Sequence, residues 1–181
     1  TTKGFGSCIA DDMGLGKTLQ ALTLLQKAKE KDKKAPSLVV CPTSVEFNWE
    51  SEVQKFIPTL KCLKLSGAER KEHFSEIPKN DIIITSYALI RRDIEKLKKY
   101  EFRYIILDES QNIKNPESIT AKSIKMLNSK HKLALSGTPI ENKLEELWSV
   151  FDFLMPGFLL NQSEFNYRYV TPIVDRGEKI V

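Results

Sequence analysis

Two short stretches carry residues whose types and spacing could do chemistry. The first, Ile9 to Gln20, reads IADDMGLGKTLQ. Gly14, Gly16, Lys17 and Thr18 supply what a phosphate cradle needs. Glycines let the backbone curl through positive φ, so several N–H groups can face one anion. A helix starting at the lysine aims its dipole at the same charge. The lysine reaches the outer phosphates and the hydroxyl reaches a divalent cation. The second stretch, Tyr104 to Gln111, reads YIILDESQ and ends an apolar run in Asp108-Glu109. A carboxylate placed like Asp108 can hold Mg2+ through water. Its neighbour Glu109 can orient or deprotonate a water that attacks a γ-phosphate.

The pattern G-x-x-x-x-G-K-[ST] has Asp11 in place of its first glycine. That position only opens the loop, whereas Gly14 and Gly16 lie where backbone must approach phosphate. An Asp adopts turn conformations and accepts local N–H bonds. Each stretch alone has a plainer reading: a glycine-containing turn, or a solvated acidic strand end. Found together in one chain, they weaken both plainer readings.

The elements that must position these residues are legible as alternating apolar runs and helical stripes. SLVVCP (37–42), DIIITSY (81–87), YIILDES (104–110) and KLALSG (132–137) are β-rich and continuous, as strands buried on both faces are. FGSCIA (5–10) and KCLKLS (61–66) are weaker strand candidates. A Leu-rich helix follows the glycine loop. Val45, Trp49, Val53, Phe56 and Ile57 trace one helical face after a cap at Thr43 or Ser44. ALIRRDIEKLKKY (88–100) and SITAKSIKMLN (118–128) are further helices, and Leu144, Leu147, Trp148, Phe151 and Met155 form another stripe. Such alternation predicts an α/β fold with a mainly parallel sheet and helices on both faces. Pro156-Gly157 breaks the last helix. Residues 1–155 read as one lobe and 156–181 as an extension beyond it.

A length of 181 residues suits about one domain. Hydrophobic residues at 41% and charged residues at 29% match a globular chain. No apolar run approaches a membrane span, and no leader-like pattern opens the chain. Cys8, Cys41 and Cys62 are expected as buried reduced thiols, which favours an intracellular setting. With His73 and His131 alone and no C-x-x-C, a structural zinc is not expected. A net charge of +4 is compatible with a polyanionic partner without establishing one. The mixed-sign run KAKEKDKK (27–34) reads as a solvated helix end.

ADDMGLGKTLQ, VVCPTSVEFNWESEVQKF, IIITSY, ILDESQNIKN and LALSGTPIENKLEELWSVFDFLMPG follow in the order and spacing of known blocks. Together, from Ile9 to Gly157, they resemble the Swi/Snf-like ATPases, a branch of the superfamily-two helicases. Members of that branch also carry Asp at the position of Asp11. The resemblance implies the first RecA-like lobe, a P-loop NTPase fold, of a DNA-dependent ATPase that uses ATP and Mg2+. It implies that Asp12, Met13, Gly14, Leu15, Gly16, Lys17, Thr18 and Leu19 bind the nucleotide. Thr18 and Asp108 would hold the metal, and Glu109, Asp108 and Lys17 would carry catalysis. Ser136 and Thr138, in SGTP, would couple phosphate state to movement of the lobe and DNA. Gln111 closes the acidic block, with Ser110 where relatives carry Ala.

Thr43, Ser44, Thr85 and Ser86 resemble the family's DNA-backbone contacts, for which hydroxyls at helix starts are suited. Helix capping is their plainer role. Lys114 reads as a phosphate contact or a solvated loop lysine, and Trp49 and Trp148 as core rather than base-stacking residues. The resemblance further implies double-stranded DNA as partner, a second RecA-like lobe in cis, no membrane, and an intracellular place. The chain is expected to be part of a longer protein that remodels protein–DNA complexes. An unwinding helicase or restriction-type motor and a non-catalytic nucleotide- or DNA-binding module are the alternatives.

Overall fold

The computed structural model describes residues 6–12, 14–31, 35–137 and 144–172. Six strands form one sheet: β1 (Ser7–Ile9), β2 (Ser37–Cys41), β3 (Cys62–Lys64), β4 (Ile82–Ser86), β5 (Glu101–Leu107) and β6 (Asn128–Leu135). Their order is β1-β6-β5-β2-β4-β3 and every pairing is parallel. Parallel neighbours require crossovers. These include α1 (Lys17–Lys31), α2 (Glu46–Phe56), α3 (Tyr87–Leu97) and α4 (Ile119–Lys125), with α5 (Leu144–Leu154) after the last strand.

Continuous apolar runs became central strands because both sheet faces are covered. All of β2 and β4 is buried, and so is β5 after its first residue. Alternate residues serve opposite cores. Leu38, Val40, Ile83, Ile105 and Leu107 pack with Ile90, Leu97, Ile124 and Phe153 of α3, α4 and α5. Val39, Cys41, Ile82, Ile84 and Ile106 pack with Leu22, Leu25, Trp49 and Val53 of α1 and α2. Each fully buried Ile or Leu is worth about 1.5–3 kcal/mol.

Some boundaries differ from the sequence expectation. The Thr43–Val45 segment is a 3-10 turn, and α2 has Val45 at its N-cap with no side-chain cap bond. Neither Thr43 nor Ser44 caps α2, because backbone bonds within the turn do that work: Val45 N–H donates to Pro42 O and Glu46 N–H to Thr43 O. β6 begins at Asn128 rather than Lys132, since its polar start pairs with the polar start of β5. A 3-10 stretch at Glu69–Lys79, without an expected counterpart, lays Phe74 and Ile77 on the core. Cys41 is buried, but Cys8 is exposed because it sits on edge strand β1. Burial pushes the Cys62 thiol up to about 12. After Pro156-Gly157 the chain turns back. Trp148 Nε1 donates to Leu160 O at 3.3 Å, and α6 (Gln162–Phe165) buries Phe165. No helix among the described residues is long and apolar enough to cross a membrane.

Candidate functional site

The glycine loop leaves β1 at its carboxyl end, and the acidic pair leaves β5 at its own. Loops at these ends open onto a common crevice, the usual ligand position in an open parallel sheet. Gly14 and Gly16 have φ of 86° and 75°, which L side chains rarely adopt. A Cβ on either would meet nothing within 4 Å, so backbone conformation rather than crowding demands glycine. Asp11 has no positive φ. Its carboxylate accepts from Gln20 Nε2 at 2.9 Å, which ties the start of the loop to α1. Lys17 Nζ donates to Asp11 O and Asp12 O at 2.9 and 3.1 Å. Met13 lies outside the described residues.

Across the crevice, Gly14, Gly16, Lys17, Thr18 and Leu19 share a pocket of about 420 Å³ with Asp108 and Glu109. The remaining wall is α2, through Asn48, Trp49, Glu52 and Phe56, with Val45 just before it. Asp12 and Leu15 are exposed and do not line this pocket. Asp108 accepts from Trp49 Nε1 at 2.8 Å and from the Glu109 N–H at 3.0 Å. Burial holds its carboxyl above the ordinary value, against the pull of those two donors. Glu52 is raised by burial and then by the nearby Asp108 charge. Tyr87 Oη donates to Asp108 O at 2.7 Å, and burial keeps that phenol protonated.

Glu109 occupies the left-handed region at φ 51°, unusual for a residue with a side chain. Glu109 is also one of the residues that line the pocket. Gln111 Nε2 donates to Glu109 Oε2 at 2.7 Å, and Ser136 Oγ donates to Gln111 Oε1 at 3.4 Å. Ser136 N–H then donates to Ile9 O, the last residue of β1. The acidic pair, the end of β6 and the strand before the glycine loop are thus joined through Gln111. Thr138 lies outside the described residues.

The four hydroxyl residues divide by exposure. Thr43 and Ser44 are exposed at the end of β2. Thr85 and Ser86 are buried and their hydroxyls are engaged internally, Thr85 with Leu65 O at 3.2 Å and Ser86 with the Glu46 carboxylate. Ser86 occupies the N-cap of α3 without a side-chain cap bond. Beside Thr43, a second pocket is lined by Tyr87, Ala88, Arg91, Asn112 and Thr120. Lys114 pairs with Glu146 at 3.5 Å. Sequence reasoning missed Arg91 and Asn112, which only the fold brings beside Thr43. It also missed the bond of Trp49, whose ring is 1% exposed core.

Among the described residues no group of three or more His, Cys, Asp or Glu is placed to hold a metal ion. One hydroxyl, Thr18, sharing the pocket with one half-buried carboxylate, Asp108, is a donor set that suits Mg2+, which takes few protein ligands and completes its shell with phosphate and water.

A model of the SNF2-related domain matches residues 1–181. The Sulfolobus solfataricus SWI2/SNF2 ATPase core in complex with dsDNA superimposes with a TM-score of 0.90 at 47% identity, over 98% of this chain and 37% of that one. YwqA of Bacillus subtilis, an ATP-dependent helicase/translocase by name, is 45% identical over 97% of this chain and 20% of its own length. The TATA-binding protein-associated factor mot1 of Schizosaccharomyces pombe is 41% identical over 91% of this chain and 9% of its own. The chain therefore spans a fifth or less of these curated relatives.

Proposed function

Because the chain belongs to the SNF2-related domain family, we propose that it is the nucleotide-binding lobe of a DNA-dependent ATPase that translocates on double-stranded DNA and remodels protein–DNA complexes. One observation carries this reading: the glycine loop and the Asp108-Glu109 pair face each other across one pocket. The similar fold seen on dsDNA supports the choice of polymer.

In this reading the N–H groups of Gly14 to Thr18 and the start of α1 bind the triphosphate. Lys17 leaves the loop carbonyls it now bonds and follows the outer phosphates. Thr18 and Asp108 hold Mg2+, which when bound neutralises charge on the β- and γ-phosphates. Glu109 accepts a proton from, or aligns, the attacking water. Gln111 passes the state of Glu109 to Ser136, and so to β6 and the segment that follows it.

The DNA backbone lies over the carboxyl ends of β2 and β4. Thr43 and Ser44 offer hydroxyls there, and Arg91 offers charge from the adjoining pocket. Thr85 and Ser86 shape that surface from beneath. The lobe is assigned to residues 1–155 and an extension beyond it to 156–181, whose described part, to residue 172, packs back on α5; a second lobe in cis completes the reading. The setting is an intracellular one that holds DNA.

The test is ATP hydrolysis, with and without duplex DNA, by a protein joining this chain to a second lobe. Glu109→Gln should cut turnover by about 100-fold or more while Mg2+-dependent ATP binding persists. Lys17→Ala should weaken binding as well. Turnover indifferent to both Glu109→Gln and DNA would sink the proposal.

A further inference from the structure

Trp49 belongs to the apolar stripe of α2 and is almost wholly enclosed. Packing explains the ring but not its direction. The one polar atom of the side chain, Nε1, is aimed at Asp108 Oδ2, 2.8 Å away. The other carboxylate oxygen, Oδ1, accepts the Glu109 N–H at 3.0 Å, and the Asp108 carbonyl accepts the Tyr87 hydroxyl at 2.7 Å. The residue is therefore held at three atoms, from α2, from the backbone N–H of Glu109 and from α3. Of these, only the Trp49 bond comes from a side chain to the carboxylate.

We propose that Trp49 is a positioning residue for the metal-side carboxylate: its indole N–H fixes the rotation of Asp108, so that a divalent cation arriving with the nucleotide meets a carboxylate already in place. The inference rests on the nucleotide-binding reading above. An indole N–H only donates, so it bonds a carboxylate oxygen without competing for a cation. A carboxylate oxygen keeps a second lone pair for the metal side. Loss of such an outer partner typically costs 10–100-fold in metal affinity. Ring burial makes the bond rigid, because Trp49 cannot swing without opening the core between α1 and α2. Trp49 also lines the pocket that holds Thr18 and Asp108, so the positioning group and both metal-side residues share one cavity.

The test is ATP binding by the chain, measured calorimetrically across a Mg2+ series and in EDTA. Trp49→Phe keeps an aromatic ring and removes the donor. A second variant replaces Trp49 with its benzothienyl analogue in a Trp148→Phe background, keeping ring shape and removing only the N–H. The analogue decides the matter if Trp49→Phe fails to fold. The half-saturating Mg2+ concentration should rise by about 10–100-fold, with binding in EDTA unchanged and thermal midpoint preserved in the analogue. An unchanged Mg2+ dependence overturns the inference and leaves the nucleotide reading intact. Equal losses in Mg2+ and in EDTA also overturn it, since Trp49 would then be a core filler alone. Wild-type chain that binds ATP with no Mg2+ dependence would overturn the metal-side assignment of Asp108, and this inference with it.

Discussion

Glu109 combines the carboxylate proposed to direct the attacking water with a backbone conformation that resists a side chain. Its φ of 51° costs a residue with a Cβ about 1–2 kcal/mol. Strain of this kind persists where surrounding structure holds it, often at working sites. Here the Asp108 carboxylate accepts the Glu109 N–H, and Gln111 holds its side chain. Glu109→Gly and Glu109→Ala remove the same carboxylate but differ in backbone freedom. Glu109→Gly should therefore be the more stable of the two by about 0.5–1 kcal/mol in urea unfolding, after the greater unfolded-state entropy of glycine is counted. Equal stabilities would mean that no strain is stored at this residue. The types at this site were legible because chemistry dictates them: two glycines at positive φ, a lysine, a hydroxyl and two carboxylates. The engagements of Thr85 and Ser86 were not. A hydroxyl at a strand end looks the same in sequence whether it faces a phosphate, a helix start or, as here, Leu65 O and Glu46.

At the scale of elements, a continuous apolar run is a strong signal because a parallel strand has no solvent face. β2, β4 and β5 were legible for that reason, whereas the polar first half of β6 was not. The Glu69–Lys79 stretch was invisible for a different reason: its anchor is a pair distant in sequence. Arg70 Nε donates to Asp93 Oδ2 at 2.5 Å and Arg70 Nη2 to Oδ1 at 3.1 Å, with both side chains buried. Arg70 Nη1 also reaches Gly67 O at 2.6 Å, so the fork locks the stretch to α3. The bond to Asp93 raises the Arg70 pKa, against the cost of its burial. Removing one partner of a buried pair leaves a charge without compensation. Arg70→Met should cost about 3–5 kcal/mol in urea unfolding. Arg70→Met with Asp93→Leu should recover much of that loss. A double variant as unstable as the single would show that the pair matters for more than charge balance.

For the molecule as a whole, the charge balance of the pocket is unusual for the triphosphate proposed to bind there. Among the described residues lining the pocket, Lys17 is the one cation, against the carboxylates Glu52, Asp108 and Glu109. No arginine among the described residues lines it. A triphosphate entering such a wall meets repulsion that only a divalent cation relieves, so ATP binding should depend strongly on Mg2+. Phosphoryl transfer needs more than binding. Negative charge spreads over the transferred phosphate, and an arginine placed against it is worth about 10³–10⁵ in rate. In the proposed reading this lobe brings the loop, the metal side and the water-directing carboxylate, while no described arginine lines the pocket. The 181-residue chain alone should therefore bind Mg2+-ATP yet turn it over at a rate little stimulated by duplex DNA. Joining it to a second lobe that brings an arginine into the crevice should raise single-turnover hydrolysis by about 10³-fold or more. Replacing that arginine by alanine should return the rate toward that of the lobe alone, with Mg2+-ATP binding far less affected. Vigorous DNA-stimulated turnover by the chain on its own would show that the lobe completes its own active site, and would overturn the two-lobe mechanism at its central step.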